Sequence, residues 1–90
     1  MSDCCVKARV TGKVQGVGYR AATRERSLSA GVTGYARNQA DGSVEVVLCG
    51  RGEAVNGVIE WLWKGPPAAR VTHVELAGID WQEHDTFVTR

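Results

Sequence analysis

The residues best suited to chemistry stand in one run, GKVQGVGYR, at positions 12–20. Gly16 and Gly18 interrupt it just before a helical segment, and glycine adopts backbone conformations closed to other residues. Successive backbone N–H groups are then able to converge on one point at the helix N-terminus, where the helix dipole favours negative charge. The loop that we call the cradle comprises Gln15, Gly16, Val17, Gly18, Tyr19 and Arg20. It predicts an anion-binding site.

Arg20 adds a permanent positive charge in the first turn of the predicted helix. Its planar guanidinium binds two oxygens at once, which suits a single phosphoryl group. The segment 16–21 also satisfies the G-x-G-x-x-G/A dinucleotide fingerprint, but 90 residues are too few for the two βαβ halves that hold a dinucleotide. The other alternative is an ordinary strand-to-helix turn beside a solvated arginine.

Hydrophobic periodicity predicts the elements that position this loop. Alternation predicts strands at 6–14, 32–37, 44–49 and 71–76, with a short terminal strand at 87–89. Residues 19–30 predict a helix ended by Gly31, and apolar spacing from Val55 to Leu62 predicts a second helix ended by Gly65.

Side-chain patterns within these elements give further expectations. The first helix has a weak inward stripe, which predicts loose packing and a lowered unfolding free energy; its members are Ala22, Thr23, Arg26 or Ser27, and Ala30. The fourth strand is expected to place Thr72, Val74 and Leu76 inward. At least one of the two tryptophans that flank the second helix's stripe, Trp61 and Trp63, should be partly exposed.

The order β-α-β-β-α-β predicts an α+β ferredoxin-like sandwich in a single domain spanning residues 1–90. Its sheet is expected to have four to five mainly antiparallel strands, with two helices on one face. In the common strand order 4-1-3-2, the first two strands run parallel, so their carboxyl ends lie at the same end of the sheet. Asn38, which ends the second strand, is then able to face the same ligand as Arg20.

Four runs, with Phe87 near the end, point to one known family. They are GKVQGVGYR at 12–20, GYARN at 34–38, DGSVEV at 41–46 and GPPAARV at 65–71. In their order and spacing, the chain resembles the acylphosphatase family over nearly its whole length. The resemblance implies hydrolysis of the carboxyl-phosphate anhydride of a small acyl phosphate to carboxylate and phosphate. It also implies that Arg20 binds the phosphate and that Asn38 positions the attacking water.

The chemistry of acyl phosphates agrees with these residue types. A carboxylate is a good leaving group, so neither a strong general acid nor a covalent nucleophile is needed. The neutral amide of Asn38 orients a water for in-line attack, while Arg20 and the loop N–H groups hold the phosphoryl oxygens. We expect a metal-independent hydrolase without a cofactor. The alternatives are a module that binds an anion without turning it over and a pure interaction domain.

Composition limits the partners. With 11 Lys and Arg against 10 Asp and Glu, the chain has no basic field of the kind that drives nucleic-acid binding. The outward positions of the first and third strands also lack the aromatic pair that stacks RNA bases. No stretch approaches the ~20 apolar residues of a membrane span, and residues 1–10 lack a signal-peptide layout. We therefore expect a cytoplasmic monomer.

Cysteines and histidines give no metal-ligand spacing, so no metal site is predicted. His73 and His84 are expected on the solvated surface. Reduced thiols are the default for three cysteines in a cytosolic protein. A Cys5–Cys49 disulfide is the alternative, because antiparallel pairing of the first and third strands places these two residues side by side on one face.

Overall fold

The computed structural model describes residues 3–90, and its elements follow the predicted order. They are β1 (Asp3–Lys13), α1 (Tyr19–Ala30), β2 (Thr33–Asn38), β3 (Val44–Arg51), α2 (Gly52–Lys64), β4 (Arg70–Ile79) and β5 (Phe87–Thr89). Helix α1 has its predicted bounds. Strands β3 and β4 extend beyond the predicted segments, while β1 and β2 are each displaced from theirs at both ends.

The five strands form one sheet in the order β4-β1-β3-β2-β5. All neighbours are antiparallel except β2 and β5, which are parallel. This arrangement, with two helices, confirms the α+β ferredoxin-like fold. Because β1 and β2 both pair antiparallel with β3, they run parallel to each other, and their carboxyl ends lie at the same end of the sheet.

The main core lies between the helices and one face of the sheet. Helix α2 buries three of the four residues of the predicted stripe, Val55, Val58 and Leu62, at no more than 1% exposure, while the fourth, Ile59, is half-buried against the core. Trp63, just outside that stripe, is 49% exposed, which confirms the expectation for the tryptophan pair. No helix within residues 3–90 combines the length and the apolar character needed to cross a membrane.

Helix α1 contributes little apolar bulk beyond Tyr19, which is buried at its start. Thr23 and Ser27 are buried as predicted, but Ala30 is exposed, so the predicted stripe is wrong at its end. The Thr23 hydroxyl donates to the Tyr19 carbonyl at 2.7 Å, whereas the Ser27 hydroxyl has no partner within residues 3–90. The lowered stability expected from this helix stays a prediction.

Strand β4 differs from its predicted pattern. Val74 is buried as expected, but Thr72 and Leu76 are exposed. A bulge between Thr11 and Gly12 shifts the register so that Gly12 faces Val71, and Val71 then packs against the core in place of Thr72. Leu76 lies on an edge strand with a neighbour on one side only, and it stays 46% exposed.

Cys5 and Cys49 are direct register partners and form a disulfide bond. Both are buried, at 2% and 0% exposure. The default expectation of reduced thiols is therefore wrong for this pair, and Cys4 alone among the cysteines is free. The bond joins β1 to β3 across 44 residues of sequence, which restricts the unfolded chain.

Candidate active site

The cradle occupies the turn between β1 and α1. Gly16 has φ 74° and Gly18 has φ 78°, both in the left-handed region that favours glycine. Gly18 is the N-cap of α1, and the first hydrogen bond of the helix runs from the Ala22 N–H to the Gly18 carbonyl at 3.0 Å. The chain therefore turns at these glycines and enters α1. The backbone N–H groups of the first turn of α1 then point out of the N-terminus of the helix.

The backbone N–H groups of residues 15–21 have no protein acceptor within the part of the chain that the structure describes. Helix geometry accounts for the last four of them, because the first four amides of an α-helix lack an internal partner. Ala21 belongs to this set, although the cradle predicted from the sequence ends at Arg20. The predicted helix start at Tyr19 is the signal that includes it, because the first four amides of a helix then extend to Ala21.

A cavity of about 150 Å³ lies at this turn. It brings together most of the predicted site, and its lining consists of Val14, Gly16, Gly18, Tyr19, Arg20, Ala21 and Asn38. Asn38 ends β2, and the parallel course of β1 and β2 places it beside the cradle as the topology predicted. Gln15 and Val17 do not line the cavity. Val17 is half-buried against the core, so only its backbone N–H is suited to a ligand.

The Gln15 side chain binds the protein instead of facing the cavity. Its Nε2 donates to the carbonyls of Gln39 at 2.8 Å and Ser43 at 2.9 Å, both in the β2–β3 turn. This turn follows Asn38 directly. Gln15 therefore ties the cradle to the segment that carries Asn38, a contact that no local sequence pattern indicated.

The two polar side chains of the cavity are largely free. The Arg20 Nη1 donates to the Arg90 carbonyl at 2.6 Å, which leaves its other N–H groups without a partner in residues 3–90. No Asp or Glu side chain within residues 3–90 forms an ion pair with Arg20. Asn38 is exposed, and its amide makes no hydrogen bond within those residues. Both are available to a ligand.

Tyr19 fixes the start of α1 against the end of α2. Its phenol hydroxyl donates to the Leu62 carbonyl at 2.6 Å, and burial raises the pKa of the phenol, which keeps it neutral. A Cβ on Gly65 would lie 2.9 Å from the Tyr19 ring. The Tyr19 side chain therefore anchors the cradle. The Tyr19 backbone N–H remains one of the unpaired amides at the N-terminus of α1.

Neither histidine lines the cavity. His73 is exposed as predicted, but His84 is half-buried, with its ring 5.9 Å from that of Tyr35, so the prediction is wrong in part. Within residues 3–90, no group of three or more His, Cys, Asp or Glu side chains is placed to hold a metal ion.

Comparison with known proteins agrees with this geometry. The family model described as Acylphosphatase matches residues 6–89. The chain belongs to the acylphosphatase family. It is an enzyme that hydrolyses acyl phosphates, and a non-catalytic anion-binding module is not favoured.

Individual relatives support the assignment along most of the chain. An acylphosphatase of Chromohalobacter salexigens is 69% identical over 75 residues, which cover 83% of each chain. One of Photobacterium profundum is 47% identical over 87 residues, or 97% of each chain. The solved structure of an acylphosphatase from Coxiella burnetii is 36% identical and superposes with a TM-score of 0.94, covering 98% of this chain and 93% of that one.

Proposed function

We propose that Arg20 and the cradle amides bind the phosphoryl group of the acyl phosphate and that Asn38 orients the attacking water. The observation that carries this proposal is the single cavity in which unpaired backbone N–H groups, the Arg20 guanidinium and the Asn38 amide meet. Water attacks phosphorus, the bond from phosphorus to the carboxyl oxygen breaks, and the products are a carboxylate and inorganic phosphate.

The donors suit the charge that develops in this reaction. The phosphoryl group passes through a transition state whose charge is spread over three equatorial oxygens. Fixed N–H dipoles and a guanidinium at a helix N-terminus stabilise that charge without having to reorganise. They supply the electrostatic part of catalysis, and they hold phosphorus at one position relative to Asn38.

Asn38 suits a positioning role because its amide is neutral. The amide oxygen accepts a hydrogen bond from water and the amide NH₂ donates one to a phosphoryl oxygen, so one side chain fixes both reactants. A carboxylate at this place would repel the phosphate. Because the leaving group is a carboxylate, we also propose that hydrolysis needs no metal ion and no general acid.

The test is hydrolysis of benzoyl phosphate by the purified protein with a strong chelator present. We expect the wild-type rate to survive chelation and the Asn38→Ala variant to lose about 10²–10³-fold in kcat, the range for loss of one preorganised group. Asn56→Ala is the matched control, because Asn56 is an exposed asparagine on α2 outside the cavity. A folded Asn38→Ala protein with normal kcat would exclude the role of Asn38, and loss of the wild-type rate on chelation would exclude metal independence.

We further propose that the enzyme acts as a monomer in the cytoplasm. The sheet face opposite the helices carries charged side chains rather than a broad apolar surface, which supports a monomer. One disulfide and one free cysteine are fewer than a secreted disulfide scaffold needs, and burial shields the bond from reductants. Light scattering tests the monomeric state, and cell fractionation tests the cytoplasmic location.

A further inference from the structure

The ends of β1 and β2, which carry the cradle and Asn38, are not direct neighbours in the sheet. Strand β3 lies between them and begins at Val44, whose register partners are Val10 on β1 and Asn38 on β2. Beyond Val10, β1 continues through Lys13 to the cradle without a partner on β3. Strand pairing therefore does not determine how the cradle lies relative to Asn38.

The β2–β3 turn, residues 39–43, has a shape of its own. The Gln39 N–H donates to the Ser43 carbonyl at 2.8 Å, and the Gly42 N–H donates to the Gln39 carbonyl at 3.1 Å. The amide of Asn38 makes no hydrogen bond in the described chain, so its position depends on the end of β2 and on this turn. The turn closes through its own backbone and needs no bond from the cradle to form.

Gln15 provides the connection that the strands lack. Its Nε2 donates to the same two carbonyls, of Gln39 at 2.8 Å and of Ser43 at 2.9 Å. Both N–H groups of the side-chain amide are thereby used, and the residue is half-buried. No backbone hydrogen bond of the described chain joins the cradle to the turn. The two bonds from Gln15 therefore place the turn against the cradle.

The turn has a second contact on the open side of the sheet, where Arg9 forms an ion pair with Asp41. The two side chains are 54% and 48% exposed. Exposed ion pairs contribute little in water, and they allow their long side chains to move. The half-buried bonds of Gln15 are the stronger constraint on the turn, and they alone reach it from the cradle within the part of the chain that the structure describes.

We propose that Gln15 is a positioning residue whose side chain sets the place of Asn38 relative to the bound phosphoryl group. The backbone N–H of Gln15 belongs to the unpaired amides of the cradle. One residue thus links the group that holds phosphorus to the segment that holds the attacking water. If the turn shifts against the cradle, the water leaves the line of attack while phosphate binding persists. The inference rests on the proposed roles of Arg20 and Asn38.

The first test is Gln15→Met, because methionine has nearly the same length and no N–H donor. We expect kcat for benzoyl phosphate to fall about 10–10²-fold, since misplacement of a reacting group by ~1 Å costs up to about 10²-fold. KM and the competitive Ki of inorganic phosphate should stay close to the wild-type values, because Arg20 and the cradle amides are retained. Gln82→Met is the matched control, since Gln82 lies between β4 and β5, outside both the cradle and the turn.

A second variant guards against a loss of folding. Gln15→Asn keeps a polar amide but shortens the side chain by one carbon, so its N–H groups no longer reach both carbonyls. We expect the same separation as in Gln15→Met, with a lower kcat and an unchanged Ki for phosphate. A general weakening of the fold would instead change both constants.

A double-mutant cycle then separates positioning of Asn38 from any other effect. If Gln15 acts through Asn38, Gln15→Met should lower kcat little further in the Asn38→Ala background, because residues that act as a unit are not additive. The inference is wrong if the folded Gln15 variants keep the wild-type kcat, if the loss appears in Ki and not in kcat, or if it is undiminished in that background. Normal kcat in Asn38→Ala alone would overturn the proposed role of Asn38 and this inference together, whereas the other outcomes overturn this inference only.

Discussion

The cradle and the uncovered sheet face both present arginines to solvent, but only the cradle leaves its donors unpaired. The uncovered face, which we call the open face, bears Lys7, Arg9, Arg37, Tyr35 and Glu45 on the side away from the helices. At the cradle, the backbone oxygen of Arg90 accepts from Arg20, and no Asp or Glu side chain of the described chain forms an ion pair with Arg20.

The open face neutralises its own charges. Arg9 is the register partner of both Glu45 and Glu75, and it forms an ion pair with Asp41. Glu45 in turn lies 3.1 Å from the Arg37 guanidinium and accepts a hydrogen bond from Tyr35 at 2.7 Å. Such exposed pairs contribute little to stability one by one, yet they engage the charges of Lys7, Arg9 and Arg37. The cradle therefore differs from the open face by its unsatisfied hydrogen-bond donors and not by charge alone.

The largest expected effect is on Arg20. Arg20→Ala should lower kcat for benzoyl phosphate by about 10²–10³-fold, because Arg20 is the one side-chain cation among residues 3–90 that lines the cavity and stabilises the transition state there. Lys7→Ala is the control from the open face, where the lysine pairs with Glu45 at 3.9 Å. Steady-state kinetics on the two folded variants measures kcat. Equal losses of kcat in both variants would mean that an arginine at the cradle matters no more for catalysis than a lysine on the open face.

The next effect concerns the stability of the open face. Replacing Cys5 and Cys49 by alanine should lower the unfolding free energy by about 2–4 kcal/mol, since the bond closes a loop of 44 residues. The kcat of the folded variant should stay unchanged, because the pair lies at the end of the sheet away from the cradle. Urea unfolding measures the loss. Cys4→Ala is the control, and an equal loss there would assign the effect to packing and not to the bond.

Sequence patterns predicted most of the fold because it depends on local periodicity. The stripe of α2 follows from the apolar spacing, and the parallel course of β1 and β2 follows from the element order. This parallel course is what predicted that Asn38 lies close to Arg20. Contacts set by irregular backbone were not predictable: the bulge at Gly12 changed which residues of β4 face the core. The bond from Gln15 to the β2–β3 turn is likewise a tertiary contact with no local signal.

A smaller effect should come from the anchor of the cradle. Tyr19→Phe keeps the buried ring but leaves the Leu62 carbonyl without its donor, which should cost about 1–2 kcal/mol of unfolding free energy. Because the cradle amides lie at the start of the same helix, KM should also rise modestly. Thermal unfolding and steady-state kinetics measure the two effects. Tyr35→Phe on the open face is the control, and its KM should match the wild type.

The smallest effect is a pH dependence at Asp41. Hydrogen bonds from the Ser43 hydroxyl and backbone N–H, together with Arg9, lower the pKa of Asp41 to about 2. A carboxyl whose pKa is lower in the folded state stabilises the fold above its unfolded pKa of 3.8 and loses that contribution as the pH falls toward 2. Asp41→Asn should therefore be less stable than the wild type near neutral pH and equal to it near pH 2. Urea unfolding at both pH values tests this, and a difference that persists in acid would mean that the Asp41 charge contributes nothing. Because the pair is exposed, salt should reduce the difference at neutral pH. Loss of Arg20 at the cradle should instead affect kcat at any ionic strength.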